Sequence, residues 1–439
     1  MTDLDEQRRS WSETAKRRIT PERLRRLVCG LVDIPSPTGG EGPLAEHIAA
    51  TLQASGIAAA AQPLDDRQAN AWGRLPGSGL GPDLMLYAPI DTLTTGDPDQ
   101  DMPWIGPRWR RDMAAESVVD GDLVLGLGAS NPKGHAACVL AAAEAIRAAD
   151  IPLSGDLVVA FGAGGMPTNS LPGSVRRNTG QGVGCSFLLE QGVWADYALI
   201  AKPGWSVSWE EVGLAWFEVT VHGTHTYVGS RHRLPYRNAI ADAGHIAQHL
   251  EKWFIDYAQR HTDGLVSPQG IVSSIEGGWP RMAAVTPAAC RLMVDLRLSP
   301  RTSPMQAKRE FAAAIDSVVD QHPGLTVTWR PVLAIPAAST DPASWVCRSA
   351  IAAWERMEGR AHEPIRGNSG ATDANILRSR GIPTVRVGMP KVADASSPID
   401  FTLGMNTVDV QWMQRLSEYL VEVAIDTVTR TRAEVKLSS

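Results

Sequence analysis

The 439-residue chain has no run of like charge, no apolar stretch of membrane-spanning length and no closely spaced cysteines. Each lack removes a class of protein. Its 42 Lys and Arg against 48 Asp and Glu give a formal net charge of −6, spread along the sequence. That distribution argues against nucleic acid or an anionic membrane surface as the main partner. A spanning helix needs about 20 apolar residues in succession, and none occurs; residues 1–9 are too charged for a signal peptide. Cys29, Cys138, Cys185, Cys290 and Cys347 are odd in number and scattered, which suits a reducing compartment. The expected location is the cytoplasm. Phe and Tyr are scarce at six each, whereas 14 Trp are more than usual and read as packing residues.

What is present suits an enzyme-like chain of more than one domain. A hydrophobic content of 44% over this length can fill two cores. Residues 19–33 and 43–56 read as amphipathic helices, and strands are expected near 67–74, 83–88 and 122–126. An Ala-rich helix follows over 134–149 and a strand over 155–161. Strands alternating with helices predict an α/β layer with a largely parallel sheet. From about 212 the order becomes strand 216–223, helix 237–259, strands 268–276 and 288–298, helix 303–320 and strand 325–331. This β-α-β-β-α-β succession predicts an inserted ferredoxin-like module over 212–332. It would divide an α/β domain into 1–211 and 333–439. Residues 1–10 and 431–439 read as loose ends.

Two segments carry the chemistry: Leu84-Met85-Leu86-Tyr87-Ala88-Pro89-Ile90-Asp91-Thr92 and Gly126-Leu127-Gly128-Ala129-Ser130-Asn131-Pro132-Lys133-Gly134. With Ile34-Pro35-Ser36-Pro37-Thr38-Gly39-Gly40-Glu41, Asn238-Ala239-Ile240, Val294-Asp295-Leu296-Arg297-Leu298-Ser299-Pro300 and Ser369-Gly370-Ala371-Thr372-Asp373-Ala374, they resemble a known family. It is the zinc amidohydrolase and peptidase family of acetylornithine deacetylase, succinyl-diaminopimelate desuccinylase, aminoacylase and related carboxypeptidases. The resemblance implies a zinc-exopeptidase-like α/β catalytic domain whose inserted module is a lid, commonly a homodimer interface.

The same resemblance implies two zinc ions, each held by a His and carboxylates around a bridging Asp, with a Glu as general base. The His-x-Asp motif here reads Pro89-Ile90-Asp91, and Asn131 stands at the bridging Asp. Gly162-Ala163-Gly164-Gly165-Met166-Pro167 has no acid where a Glu pair is expected. Lys202 precedes Pro203 in place of a carboxylate, and Ser396 stands four residues before Asp400 in place of the last His. The expectation is therefore no metal and no cofactor. Lys202 would fill the vacated cation space, with Asp91 as its partner.

Other groups are candidates for contact with substrate. Tyr227 follows Gly223 by four residues, where the family has an oxyanion-binding His, and His225 lies two residues before it. Arg297 reads either as a carboxylate clamp or as an ion pair between domains. Lys133 would pair with Asp91 or bind an anion. Asn238, Gly370 and Thr372 complete the set, although the 370–374 turn also reads as held by its own side-chain hydrogen bonds. His135 either faces the pocket or is structural, and Glu210 and Glu211 read as solvent-facing or hinge residues.

Three functions fit these residues. One is a zinc-independent enzyme acting on a small amino-acid-derived amide by acyl transfer, amide formation, cyclisation or elimination. The others are a non-catalytic homologue that binds an amino-acid-like ligand, and a metal-dependent amidohydrolase with relocated ligands.

Overall fold

The computed structural model describes residues 3–102, 104–106, 108–168, 174–176, 178–392 and 401–437, with backbone alone for 3 and 401–403. It divides into two compact units. The first comprises Met1–Trp209, Thr340–Pro364 and Thr372–Ser439; the second comprises Glu210–Ser339 and Ile365–Ala371.

The first unit is built on a six-stranded sheet in the order 58–63, 69–75, 157–162, 84–89, 197–201, 384–387. The first three strands pair antiparallel and the last four run parallel. Strands Leu84–Pro89, Leu157–Gly162 and Tyr197–Ala201 are buried at every position. Unbroken apolar runs of this kind are what a parallel sheet covered on both faces requires. One cover is the Ala-rich helix Lys133–Ala148, whose small side chains bury almost all of it. Its neighbours Pro21–Val32 and Val410–Val428 close the same core. Helix Pro21–Val32 starts where Thr20 Oγ1 accepts from Arg23 N at 3.2 Å, with Pro21 at its first turn.

Of residues 1–10, expected to be a loose end, 3–10 are helical. Residues Asp3–Lys16 form a helix that lays Arg8, Ser12 and Ala15 inward, one helical turn or so apart. Arg8 Nε donates to Thr429 Oγ1 at 3.3 Å, and Lys16 Nζ pairs with Glu422 at 2.6 Å. The face is anchored by polar contacts rather than an apolar stripe, so hydrophobic periodicity does not announce it.

The second unit is a ferredoxin-like sandwich. Its four antiparallel strands lie in the order 270–277, 289–298, 213–222, 326–335, with helices Ala239–His261 and Pro304–Gln321 intervening in sequence. Helix Ala239–His261 buries Ala239, Ala243, Ile246, Leu250, Phe254 and Tyr257, a stripe of three- and four-residue steps. Phe217 stacks on Phe311 at 4.1 Å between ring centres. Residues 365–371 also belong here: Asn368 N donates to Leu265 O, and Ser267 N donates to Asn368 O, each at 3.1 Å.

Glu210 and Glu211 are buried, not solvent-facing. Glu210 accepts from Leu265 N at 3.3 Å and pairs with Arg301.

Candidate functional site

Loops at the carboxyl ends of the parallel strands of the first unit converge, the usual place for a site in an open α/β sheet. Asp91 lies two residues past strand Leu84–Pro89, residues 163–166 follow strand Leu157–Gly162, and Lys202 follows strand Tyr197–Ala201 directly. Asn131 precedes the helix Lys133–Ala148 and is fixed by its own N–H, which donates to Met405 O at 3.0 Å.

Lys202 is only 6% exposed, and its Nζ donates to Asn131 Oδ1 at 3.2 Å. Met166 Sδ lies 4.0 Å from the same ammonium. Asp91 is fully buried; its Oδ2 accepts from Thr38 Oγ1 at 2.6 Å and Met166 N at 2.9 Å, and its Oδ1 from Gly165 N at 2.8 Å. Burial raises its pKa, while these donors and the Lys202 charge pull it back. Lys202 acts on Asp91 through its charge, and a hydrogen bond of the ammonium runs to Asn131.

A second carboxylate, quoted above only as the end of the Ile34–Glu41 motif and not as a site candidate, stands beside this group. Glu41 is fully buried and accepts from Gly164 N at 2.8 Å, Gln68 Nε2 at 3.2 Å and Gly39 N at 3.0 Å. Burial first, and then the negative charge of Asp91, push it up to about 8. A further buried pair joins Tyr87 OH to Asp373 Oδ2 at 2.6 Å.

Several candidates have structural partners. Lys133 is fully buried but does not pair with Asp91: its Nζ donates to Ile34 O at 2.7 Å and to Val32 O at 3.4 Å. Burial lowers it to about 7. His135 Nε2 accepts from Met389 N at 3.1 Å, which leaves Nδ1–H to donate to Ser130 O at 2.7 Å. Burial holds the ring neutral, with a pKa near about 3. His135 therefore fixes backbone on both sides of the site. Thr372 Oγ1 accepts from Ala374 N at 3.2 Å.

In the second unit, Asn238 Oδ1 accepts from Ile240 N at 3.0 Å and caps helix Ala239–His261. Arg297 forks onto Asp295 on its own strand, Nε–Oδ1 2.7 Å and Nη2–Oδ2 3.0 Å, rather than reaching another domain. Gly370 N donates to Asn368 Oδ1 at 2.9 Å. His225 Nδ1 lies 3.2 Å from Thr286 O, and Tyr227 is 58% exposed. Ser396 and Asp400 lie outside the described residues.

The first unit is an α/β layer with its candidate site at strand-end loops, and the second is a ferredoxin-like insert. Residues 210–323 match a peptidase dimerisation domain. Succinyl-diaminopimelate desuccinylases of Methylobacterium sp. (strain 4-46) and Methylobacterium nodulans are each 25% identical to this chain over 373 residues, covering 83% of it and 87% of their own length. Among solved structures, the M20 family metallo-carboxypeptidase Sso-CP2 from Sulfolobus solfataricus superposes with a TM-score of 0.69 at 14% identity, covering 92% of this chain and 98% of its own. Human carnosine dipeptidase 1 gives 0.68 at 14% identity, over 95% and 98%. The chain is thus similar, in its dimerisation-domain match, its relatives and its fold, to the zinc amidohydrolase and peptidase family.

Proposed function

We propose that this chain acts on a small amino-acid-derived amide or N-acyl amino acid at the strand-end site of its first unit, with the Lys202 ammonium in place of a metal pair. One observation carries the reading: a nearly buried Lys202 Nζ is held 3.2 Å from the side-chain oxygen of Asn131, the position of the family's bridging carboxylate. The donor set supports it. Pro89 offers no ligand atom, Asn131 a neutral amide and Lys202 a cation, whereas zinc takes imidazole, thiolate and carboxylate. Among the described residues no three His, Cys, Asp or Glu side chains are placed to hold a metal ion. These residues do not fit a two-zinc centre.

An ammonium donates a charged hydrogen bond to a carbonyl oxygen as negative charge develops there, worth about 1.5–3 kcal/mol. It does not ionise a bound water as a metal does. Chemistry that needs orientation and a proton donor follows most directly: acyl transfer, amide formation, cyclisation or elimination. In the second unit the resemblance leaves Tyr227, 58% exposed, and His225 as the candidates for an oxyanion donor.

The proposal extends to a homodimer through the second unit. Strand Gly270–Gly277 is an edge strand, and Ile271 and Ile275 are 53% and 55% exposed on it. Such an edge favours pairing with another strand.

Calorimetric binding and mass-detected turnover with a panel of N-acyl amino acids and dipeptides test the function. The expected result is a ligand class whose binding or turnover falls about 10- to 100-fold in Lys202→Met, the range of one charged hydrogen bond. A variant that binds and turns over its ligands like the wild type would sink the reading. Binding without turnover assigns the site to recognition instead of catalysis.

A further inference from the structure

The turn after strand Leu157–Gly162 reads Ala163-Gly164-Gly165-Met166, a sequence with little conformational preference of its own. Left to itself, such a segment samples many backbone states. Here Gly164, Gly165 and Met166 present three consecutive N–H groups, and every one is taken by a buried carboxylate. Glu41 Oε1 accepts from Gly164 N at 2.8 Å; Asp91 accepts from Gly165 N at 2.8 Å and Met166 N at 2.9 Å. The two acids come from separate segments, one opening the helix Gly42–Ala54 and the other following strand Leu84–Pro89. Both are fully buried, so neither is placed to touch a ligand from solvent.

We propose that Glu41 is a positioning residue of the site: with Asp91 it clamps three successive amides and so fixes the Met166 thioether against the Lys202 ammonium. Each acid is itself held in place. Thr38 Oγ1 donates to Asp91 at 2.6 Å, while Gln68 Nε2 and Gly39 N donate to Glu41 at 3.2 and 3.0 Å. The turn packs too closely for a side chain at either glycine: a Cβ on Gly165 would meet Pro89 Cβ at 2.4 Å and one on Gly164 would meet Thr179 O at 2.1 Å. Glycines that fit here bring backbone freedom with them, and the carboxylates restrain it. Burial raises both acids; the negative charge of Asp91 adds to the rise at Glu41, to about 8, while the Lys202 charge pulls Asp91 back.

The link from clamp to Lys202 rests on the functional reading above; the clamp itself does not. Residue-resolved amide exchange on the full-length protein tests the clamp. Glu41→Leu, which removes both acceptor oxygens, speeds exchange at Gly164 at least tenfold, and Glu41→Gln, which keeps one oxygen, restores most of the protection. Asp91→Ala does the same at Gly165 and Met166, with strand Leu157–Gly162 unchanged. Acylation of the Lys202 amine, followed across pH by mass spectrometry, shifts severalfold in rate in Glu41→Leu and Asp91→Ala. If these variants do not fold, Thr38→Val, which removes only the hydroxyl bond to Asp91, speeds exchange severalfold at Gly165 and Met166. Wild-type exchange at 164–166 would overturn the clamp, as would a uniform acceleration through 157–166. A clamp that loosens while Lys202 reactivity stays put would overturn the positioning role, and neither outcome bears on ligand loss in Lys202→Met.

Discussion

Lys202→Met is the most informative single change, because methionine keeps most of the side chain's length and removes its charge. Three effects compete. The hydrogen bond to Asn131 Oδ1 is lost, about 1.5–3 kcal/mol for a charged donor. The attraction between the ammonium and Asp91 is lost as well, bounded by roughly 4 kcal/mol for charges about 4 Å apart at an effective dielectric of about 20. Against these, the folded state no longer buries an ammonium, a penalty of several kcal/mol. The balance depends on whether Asp91 is ionised. Its folded pKa is raised, so its contribution to stability is full below its unfolded value, near about 3.9, and is lost as pH rises through the folded value. Lys202 limits that loss in the wild type and cannot do so in the variant. Glu41 is raised in both proteins, with the same sign, and largely cancels in the difference. The gap in unfolding free energy between wild type and variant should therefore widen, by about 1–3 kcal/mol, from pH 5 to pH 8.5. Urea titrations that follow the first unit's transition at both pH values measure it. A gap that stays constant or narrows as pH rises would refute the reasoning.

Lys133 behaves in the opposite sense. Its folded pKa is lowered to about 7 by burial, so wild-type stability should rise with pH from about 7 towards the unfolded lysine value, and Lys133→Met should lose that slope. Urea midpoints of the two proteins at pH 6 and pH 9 check this; parallel midpoints would contradict it. Asn238→Ala removes the cap of helix Ala239–His261 and should cost about 1 kcal/mol, read as a lower thermal midpoint of the second unit, with little change in ligand binding. Ile275→Asp, on the exposed edge strand, should shift the protein from dimer to monomer in light scattering, and a wild-type mass would remove that edge from the proposed interface.

The inserted unit was readable because its strands alternate and its helices carry apolar stripes; Phe217, Val219 and Val221 face inward while Glu218, Thr220 and His222 do not, which marks one face of a sheet. The places of Asp91 and Lys202 just past strands, and of Asn131 just before a helix, are also legible from their motifs. Glu41 closes a recognisable motif that does not mark it as a site residue. Nothing local distinguishes it from a solvated acid at a helix start, and its partners lie 27 and 123 residues away. Lys133 departs from its expected pairing with Asp91 for a related reason. The sequence gives its charge but not that the carbonyls of Val32 and Ile34, at the end of helix Pro21–Val32, lie within its reach. The helix Asp3–Lys16 has no apolar periodicity to announce it, because Arg8 and Ser12 occupy its inward face. Residues 365–371 joined the second unit through backbone pairing at Asn368, a contact that no composition signals.

Metal content tests the central claim most directly. Full-length protein produced with zinc in the medium, then dialysed without chelator, should carry well under one zinc per chain by mass spectrometry of the digested sample, and any ligand binding should survive chelation. Two zinc ions held per chain, with binding or turnover lost on their removal, would contradict the assignment of Lys202 as the cation of this site.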